Sequence, residues 1–470
     1  MDDVTYDFGL VGLGVMGRNF ILNVADNGFT AFGHDLDEDK VKSLITEGGD
    51  TNKINASSNV EVFIQSLSAP RKIMLLVPAG KVVDKVIEGL LPHLDRGDII
   101  IDGGNSFFTD TDRREEYLKS KGINFFGAGV SGGAKGARFG PSIMPGGSNE
   151  AYKVVQPIFE AVAAKFEGVP CVAYLGPKSA GNYVKMVHNG IEYGLMQLTS
   201  EIYDILKSAG DYNNKELHEI FDKWNQGRLQ SFLIEITTEI LKKEDDIGEG
   251  YLVNKILDKA KQKGTGKWTS QNAMDLGIPI PSIDIAVSMR EISALKEERI
   301  QASKAYSKTR LEKLAKTDLE HWAEEALYFG FILTYAQGFH QLTVASKEYG
   351  YALNLSTIAK IWLAGCIIRA GLLKDIAVAY SNNKNLSHLL LDASCIERIE
   401  STVQSARKLI SFAVKNGIPS PGLSNSLTYF DAFTSATLPL NLIQAQRDYF
   451  GSHTYERIDK EGIFHTQWSK

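Results

Sequence analysis

Over the first third of the chain, short apolar runs bounded by turn residues alternate with amphipathic stretches; beyond Ser179 the period is helical nearly to the end. Strands are expected at Phe8–Val11, 30–34, 72–77 (KIMLLV), Ile99–Asp102, 125–130 and 171–175. Several are apolar throughout, as strands of a parallel sheet covered on both faces must be. Helical stretches between them, such as 81–91, complete the alternation of a doubly wound α/β fold. Ser179 is placed to cap a helix of roughly thirty residues. The stretch 326–346 is uncharged, but Gln337, His340 and Gln341 interrupt it, which predicts a buried core helix and not a membrane span. Gln197-Leu198-Thr199 recurs as Gln341-Leu342-Thr343, and Trp224-x-x-Gly227 as Trp362-x-x-Gly365. A duplicated helical unit explains both, although matches this short also arise by chance.

At 470 residues the chain exceeds a single core and predicts two or three domains. Its 43% apolar and 23% charged residues are those of a globular protein, and a net charge of −6 argues against a nucleic-acid partner. Any anionic ligand then needs a local cluster of cations. Cys171, Cys366 and Cys395 have neither metal-ligand spacing nor a disulfide framework, which fits a reducing cytoplasmic setting; no signal peptide is read before the first strand.

The first strand runs into Gly12-Leu13-Gly14-Val15-Met16-Gly17 and then a helical pattern. Gly12 permits the tight turn, Gly14 lets backbone approach a pyrophosphate, and Gly17 lets the helix lie on its strand. The alternative is a tight turn with no ligand. Asp35 ends the second strand about twenty residues on, where a carboxylate accepts from a ribose and repels a 2′-phosphate. That favours NAD over NADP, unless Asp35 is only a turn residue. Further strand ends at 77–80, 102–106 and 131–133 are glycine-rich and predict backbone close to a ligand. The expected organisation is a Rossmann-like domain over 1–178, an all-helical domain over 179–437 and a C-terminal tail over 438–470.

Within GNYVKMVHNGIEYGL, Lys185, His188, Asn189 and Glu192 are spaced i, i+3, i+4 and i+7, on one helix face. A lysine, an amide and a carboxylate so placed can move protons at one substrate; a solvated helix face produces the same spacing. The lysines and glycines of 259–268, with Thr265, suit either a phosphate loop or an ordinary solvated one. Dense aromatics after Gln444 predict a tail that docks, with a second subunit in a symmetric pair as a candidate surface.

These segments resemble the decarboxylating 6-phosphogluconate dehydrogenase family almost end to end, through GLGVMGRN, IDGGNSFFTDT, GVSGGAKGARFGPSIMPGG, GNYVKMVHNGIEYG, KGTGKWT and QAQRDYFGSHTYER in order. The resemblance implies a homodimer whose tails thread the partner, with 6-phosphogluconate as substrate and no metal. It implies Lys185 as general base and then acid, and Glu192 as general acid. Asn105, Ser131, Gly132, Gly133, His188 and Asn189 would hold the sugar acid. Tyr193, Lys263, Thr265 and Arg290 would surround its phosphate, with Arg447 and His453 reaching in from the partner. The cofactor would lie on Gly12 to Gly17, Asp35, Val77 and Asn105. Three departures stand out. Asp35-Leu36-Asp37 replaces the family's usual Asn-Arg-Thr, which holds a 2′-phosphate; Leu195 replaces an aspartate; Gly14 replaces a common alanine. Two other readings stay open: a non-decarboxylating β-hydroxyacid dehydrogenase, which would not need the phosphate cations, and a silent nucleotide- or sugar-phosphate-sensing paralogue.

Overall fold

The computed structural model describes residues 5–49, 53–307 and 312–468. Seven strands form one sheet in the order β3-β2-β1-β4-β5-β6-β7: β1 Phe8–Val11, β2 Ala31–His34, β3 Ile54–Ser57, β4 Lys72–Leu75, β5 Ile99–Asp102, β6 Asn124–Ser131 and β7 Ser142–Gly147. β1 to β6 pair in parallel, so the carboxyl ends of β1, β4, β5 and β6, with their glycine-rich turns, share one edge. The order reverses between β1 and β4, which opens the ligand crevice of a doubly wound sheet.

The sheet differs from the sequence reading, which expected neither β3 nor β7. β7, within SIMPGG, runs antiparallel to β6. The stretch 171–175 is not a strand; it makes one isolated bridge, Val172 to Ile143, along the outer edge of β7. Pro145 faces it there and offers a carbonyl to the Leu175 N–H but no N–H in return, so the ladder stops.

The helical domain is built on two long helices, Ala180–Gly210 and Lys316–Glu348. Both are apolar on nearly all sides because both are surrounded by protein. They cross where small residues face large ones: an added Cβ on Gly330 would meet Leu198 at 2.9 Å, and one on Gly338 would meet Ile191 at 2.5 Å. The polar interruptions of the second helix serve as ties. Gln337 exchanges hydrogen bonds with Ser282, and Gln341 donates to the Thr269 carbonyl. No helix among the described residues is long and apolar enough to cross a membrane.

Each long helix is followed by a shorter one ending near a buried tryptophan, Trp224 or Trp362, and then by a glycine turn and another helix. The two turns meet at an antiparallel bridge between Ser231 and Ala370. The two Trp-x-x-Gly echoes therefore occupy equivalent places.

Ser179 does precede the first long helix, but its hydroxyl pairs with the Tyr351 hydroxyl at 2.8 Å instead of capping. The helix starts hard against the sheet. A Cβ on Gly181 would lie 2.3 Å from the Met144 carbonyl oxygen and 2.7 Å from that of Gly127, and neither backbone atom can yield cheaply. Gly181→Ala is therefore expected to cost about 1–3 kcal/mol and to lower Tm by a few degrees. Gly89→Ala, where nothing lies within 4 Å, serves as the control. Equal Tm values for the two variants in a thermal melt would contradict this packing.

Candidate active site

β6 and the first long helix bring the proposed chemistry together. Gly127 and Gly129 leave room for the helix to lie on the strand: a Cβ at 129 would sit 2.4 Å from the Lys185 Cβ, and one at 127 would strike the Asn182 amide. Lys185 is thereby buried, 6% exposed, with its Nζ 3.4 Å from Nδ1 of His188. His188 is wholly buried; its Nε2 lies 3.2 Å from Ser131 Oγ at the end of β6, and its Nδ1 lies 3.1 Å from Asn189 Oδ1. The Ser131 hydroxyl oxygen also accepts the Ile367 N–H, so its own hydrogen is free to go to Nε2. The proton on the neutral ring then sits on Nδ1, directed at Asn189 and facing the Lys185 amine. Burial and the neighbouring lysine hold the imidazole pKa well below its usual range.

Glu192, one turn further and partly buried, has Oε2 4.0 Å from the same Nδ1. Burial lowers the Lys185 pKa, against the pull of Glu192. Burial likewise raises that of Glu192, against Lys185 and Arg290. Each group is displaced toward its uncharged form, a neutral amine and a protonated carboxyl, as a base and an acid require.

Beyond Glu192 the same helix carries Tyr193, over whose ring the Arg290 guanidinium lies at 3.5 Å. The helix Thr265–Asp275 starts against that ring; a Cβ on Gly266 would touch it at 2.4 Å. Gly264, at φ +98°, supplies the left-handed turn that lets the loop enter this helix. Tyr193, Thr265 and Arg290 are thus gathered at one end of this helix face, with Lys263 exposed on the adjoining loop. Arg447 and His453 are exposed, and their contacts lie within the tail: Arg447 donates to Gln444, and the His453 ring packs on Phe450. The tail is fastened by the buried Asp448 carboxylate, which accepts from Thr454, Thr466, His465 and Trp468.

At the glycine turn, Gly12 has φ +99° and no space for a side chain, since a Cβ would lie 2.6 Å from the Leu76 carbonyl oxygen. A Cβ on Gly17 would fall 1.9 Å from the Gly12 carbonyl oxygen, whereas Gly14 faces open space. That is the form of a phosphate cradle: closed packing behind and bare backbone in front. Val15 and Met16 open the helix Val15–Asp26 beside it, and the Leu13 side chain turns into the core. A cleft of about 700 Å³ continues past Val77, His34 and Asp35. Asp35 works as a turn residue as well as a cleft residue, because its Oδ2 accepts the Leu13 N–H at 2.8 Å. Asn105 is exposed at the end of the loop after β5.

Sequence reasoning missed three contributors. Trp362 packs edge-on against His188 with ring centroids 5.5 Å apart, and Ile367 tethers Ser131. The third is Lys40, whose Nζ lies 3.5 Å from Asp35 in the wall of the cleft. The repeated Trp-x-x-Gly was the one sequence signal pointing at the first.

Residues 7–176 match the NAD binding domain of 6-phosphogluconate dehydrogenase, and residues 181–468 match the 6-phosphogluconate dehydrogenase C-terminal domain. The chain is 51% identical over 465 residues to the decarboxylating 6-phosphogluconate dehydrogenase of Lactococcus lactis subsp. lactis, covering 98% of each. It is also 51% identical over 464 residues to the NADP(+)-dependent decarboxylating enzyme of Bacillus subtilis, covering 98% of this chain and 99% of that one. A structure of Plasmodium falciparum 6-phosphogluconate dehydrogenase, studied as the apo form and with NADP+ and 6-phosphogluconate, superimposes with a TM-score of 0.95 at 47% identity. It spans 98% of this chain and 100% of that one. The chain belongs to the 6-phosphogluconate dehydrogenase family.

Proposed function

We propose that this chain oxidatively decarboxylates 6-phospho-D-gluconate to D-ribulose 5-phosphate and CO2 with reduction of NAD(P)+, using Lys185 and Glu192. The observation that carries the reading is their shared helix face, with a buried amine and a partly buried carboxyl both displaced toward neutrality. The bound nicotinamide supplies the hydride acceptor. Lys185, neutral, takes the proton of the C3 hydroxyl as hydride leaves C3. The product is a β-keto acid. Lys185, now an ammonium, returns the proton to the C3 oxygen as CO2 departs, leaving an enediol. Glu192 then protonates C1 of that enediol while the departing hydroxyl proton goes to Lys185. A proton passed from Lys185 to Glu192 resets the pair, so none is consumed overall. Ser131, His188 and Asn189 hold the sugar-acid end, with Asn105, Gly132 and Gly133 lining it. Tyr193, Lys263, Thr265 and Arg290 hold the phosphate. That cationic end favours a phosphorylated substrate over the plain β-hydroxy acid of the wider dehydrogenase class.

The tail completes the site in this proposal. A cleft of about 1040 Å³ beside Arg290 is lined by exposed Ile256, Leu257 and Val414. The tail presents exposed Leu442, Ile443, Tyr449 and Phe450. Exchange of tails in a homodimer would cover both apolar surfaces and bring Arg447 and His453 to the partner's phosphate. The three free, buried thiols suit a cytoplasmic setting. On the cofactor, the Asp35 carboxylate supports a preference for NAD, moderated by the Lys40 ammonium beside it.

Lys185→Met should abolish turnover while retaining 6-phosphogluconate binding in calorimetry; surviving turnover would refute the mechanism. The pH profile follows from the signs of the shifts. Activity rises from the acid side as Lys185 loses its proton and falls on the alkaline side as Glu192 loses its own, with apparent values belonging to the pair. Residual activity of Glu192→Gln should keep the acid limb and lose the alkaline one. For the cofactor, kcat/KM should favour NAD by on the order of tenfold, and Asp35→Asn should narrow the ratio. A wild-type preference for NADP would overturn that assignment.

A further inference from the structure

A second cleft, of about 490 Å³, opens in the helical domain and shares no residue with the site described above. Its walls are the end of the helix Lys316–Glu348, the helix Leu355–Ile361, and the end of the helix Leu372–Asn382 with the loop that follows. Lys347, Lys360 and Lys384 line it, together with Thr357, Ser381 and Tyr380. No aspartate or glutamate lines it, in a chain where acidic residues outnumber basic ones 57 to 51.

Among the described residues none of these three ammonium groups forms an ion pair, unlike Lys223, Lys296 and Lys316 elsewhere in the chain. Three cations collected without a counter-charge raise the local positive potential and draw anions into a concave site. The Tyr380 hydroxyl in the wall of the cleft, on a residue only 3% exposed, is held by Thr343. The lining offers lysine, serine, threonine and tyrosine donors to a ligand rich in acceptors. The volume is that of a small-molecule site.

We infer that this cleft binds a small molecule carrying two or more phosphate groups. The helix Leu355–Ile361, one of its walls, runs directly into Trp362 against His188, and the Ile361 carbonyl accepts from Ser142 on β7. An occupant is thus one short helix away from the catalytic face without sharing a residue with it.

The test uses inorganic tripolyphosphate and orthophosphate as probes, titrated calorimetrically into the full-length protein with and without saturating 6-phosphogluconate. Tripolyphosphate should bind once per chain in both conditions, at least tenfold more tightly than orthophosphate. The triple variant K347S/K360S/K384S should weaken that event at least tenfold and leave kcat and the KM for 6-phosphogluconate unchanged. All three lysines are exposed, and the single variant K384E gives the same reading should the triple variant fold poorly. Unchanged affinity in the variants, or complete displacement of tripolyphosphate by 6-phosphogluconate, would overturn the inference. Because the variants are compared with the wild type directly, that failure is distinguishable from a failure of the catalytic proposal.

Discussion

The structure depends on the burial of one amine. Lys185 sits where the first long helix of the helical domain is pressed onto β6 and β7 of the sheet, so close that glycine is required at 127, 129 and 181. An ammonium in such a place loses hydration that a single partly buried carboxylate does not replace, and its pKa falls. The two domains therefore do more than hold two ligands. Their seam supplies the low-dielectric environment that shifts this lysine toward the neutral amine that the proposed general base requires.

The neighbours of Lys185 follow the same logic. His188 is buried, neutral and pinned between Ser131 and Asn189, so its ring is a fixed dipole and not a competing base. Glu192 lies one turn further and less deeply buried, where its carboxyl is raised but still influenced by Arg290. A graded environment along one helix face separates the proposed base from the proposed acid, with two turns of helix between them.

The elements legible in the sequence were those whose determinants are local. The glycine turn declared itself because strand, turn and helix are contiguous, and Gly12 and Gly17 prove as confined as their spacing implied. The proposed catalytic face was legible because helical periodicity alone aligns Lys185 with Glu192. What stayed hidden depended on distant chain. Trp362 and Ile367 reach the site from some 170 residues beyond His188, and only the fold brings them there. Lys40 looked like one more surface lysine until the turn placed it against Asp35. The run 171–175 has the composition of a strand and lost its ladder to one proline on the opposing strand. The tail showed its intent to dock through its aromatics, but a single chain leaves its apolar face exposed.

The division of labour between Lys185 and Glu192 is the central claim, and a single-turnover experiment tests it most directly. The Glu192→Gln variant, mixed with 6-phosphogluconate and cofactor and quenched at intervals, is followed for reduced nicotinamide, CO2 and ribulose 5-phosphate separately. The account predicts that oxidation and CO2 release keep pace with each other while the ketose lags, because only protonation at C1 needs the carboxyl. Loss of all three products in parallel would contradict it.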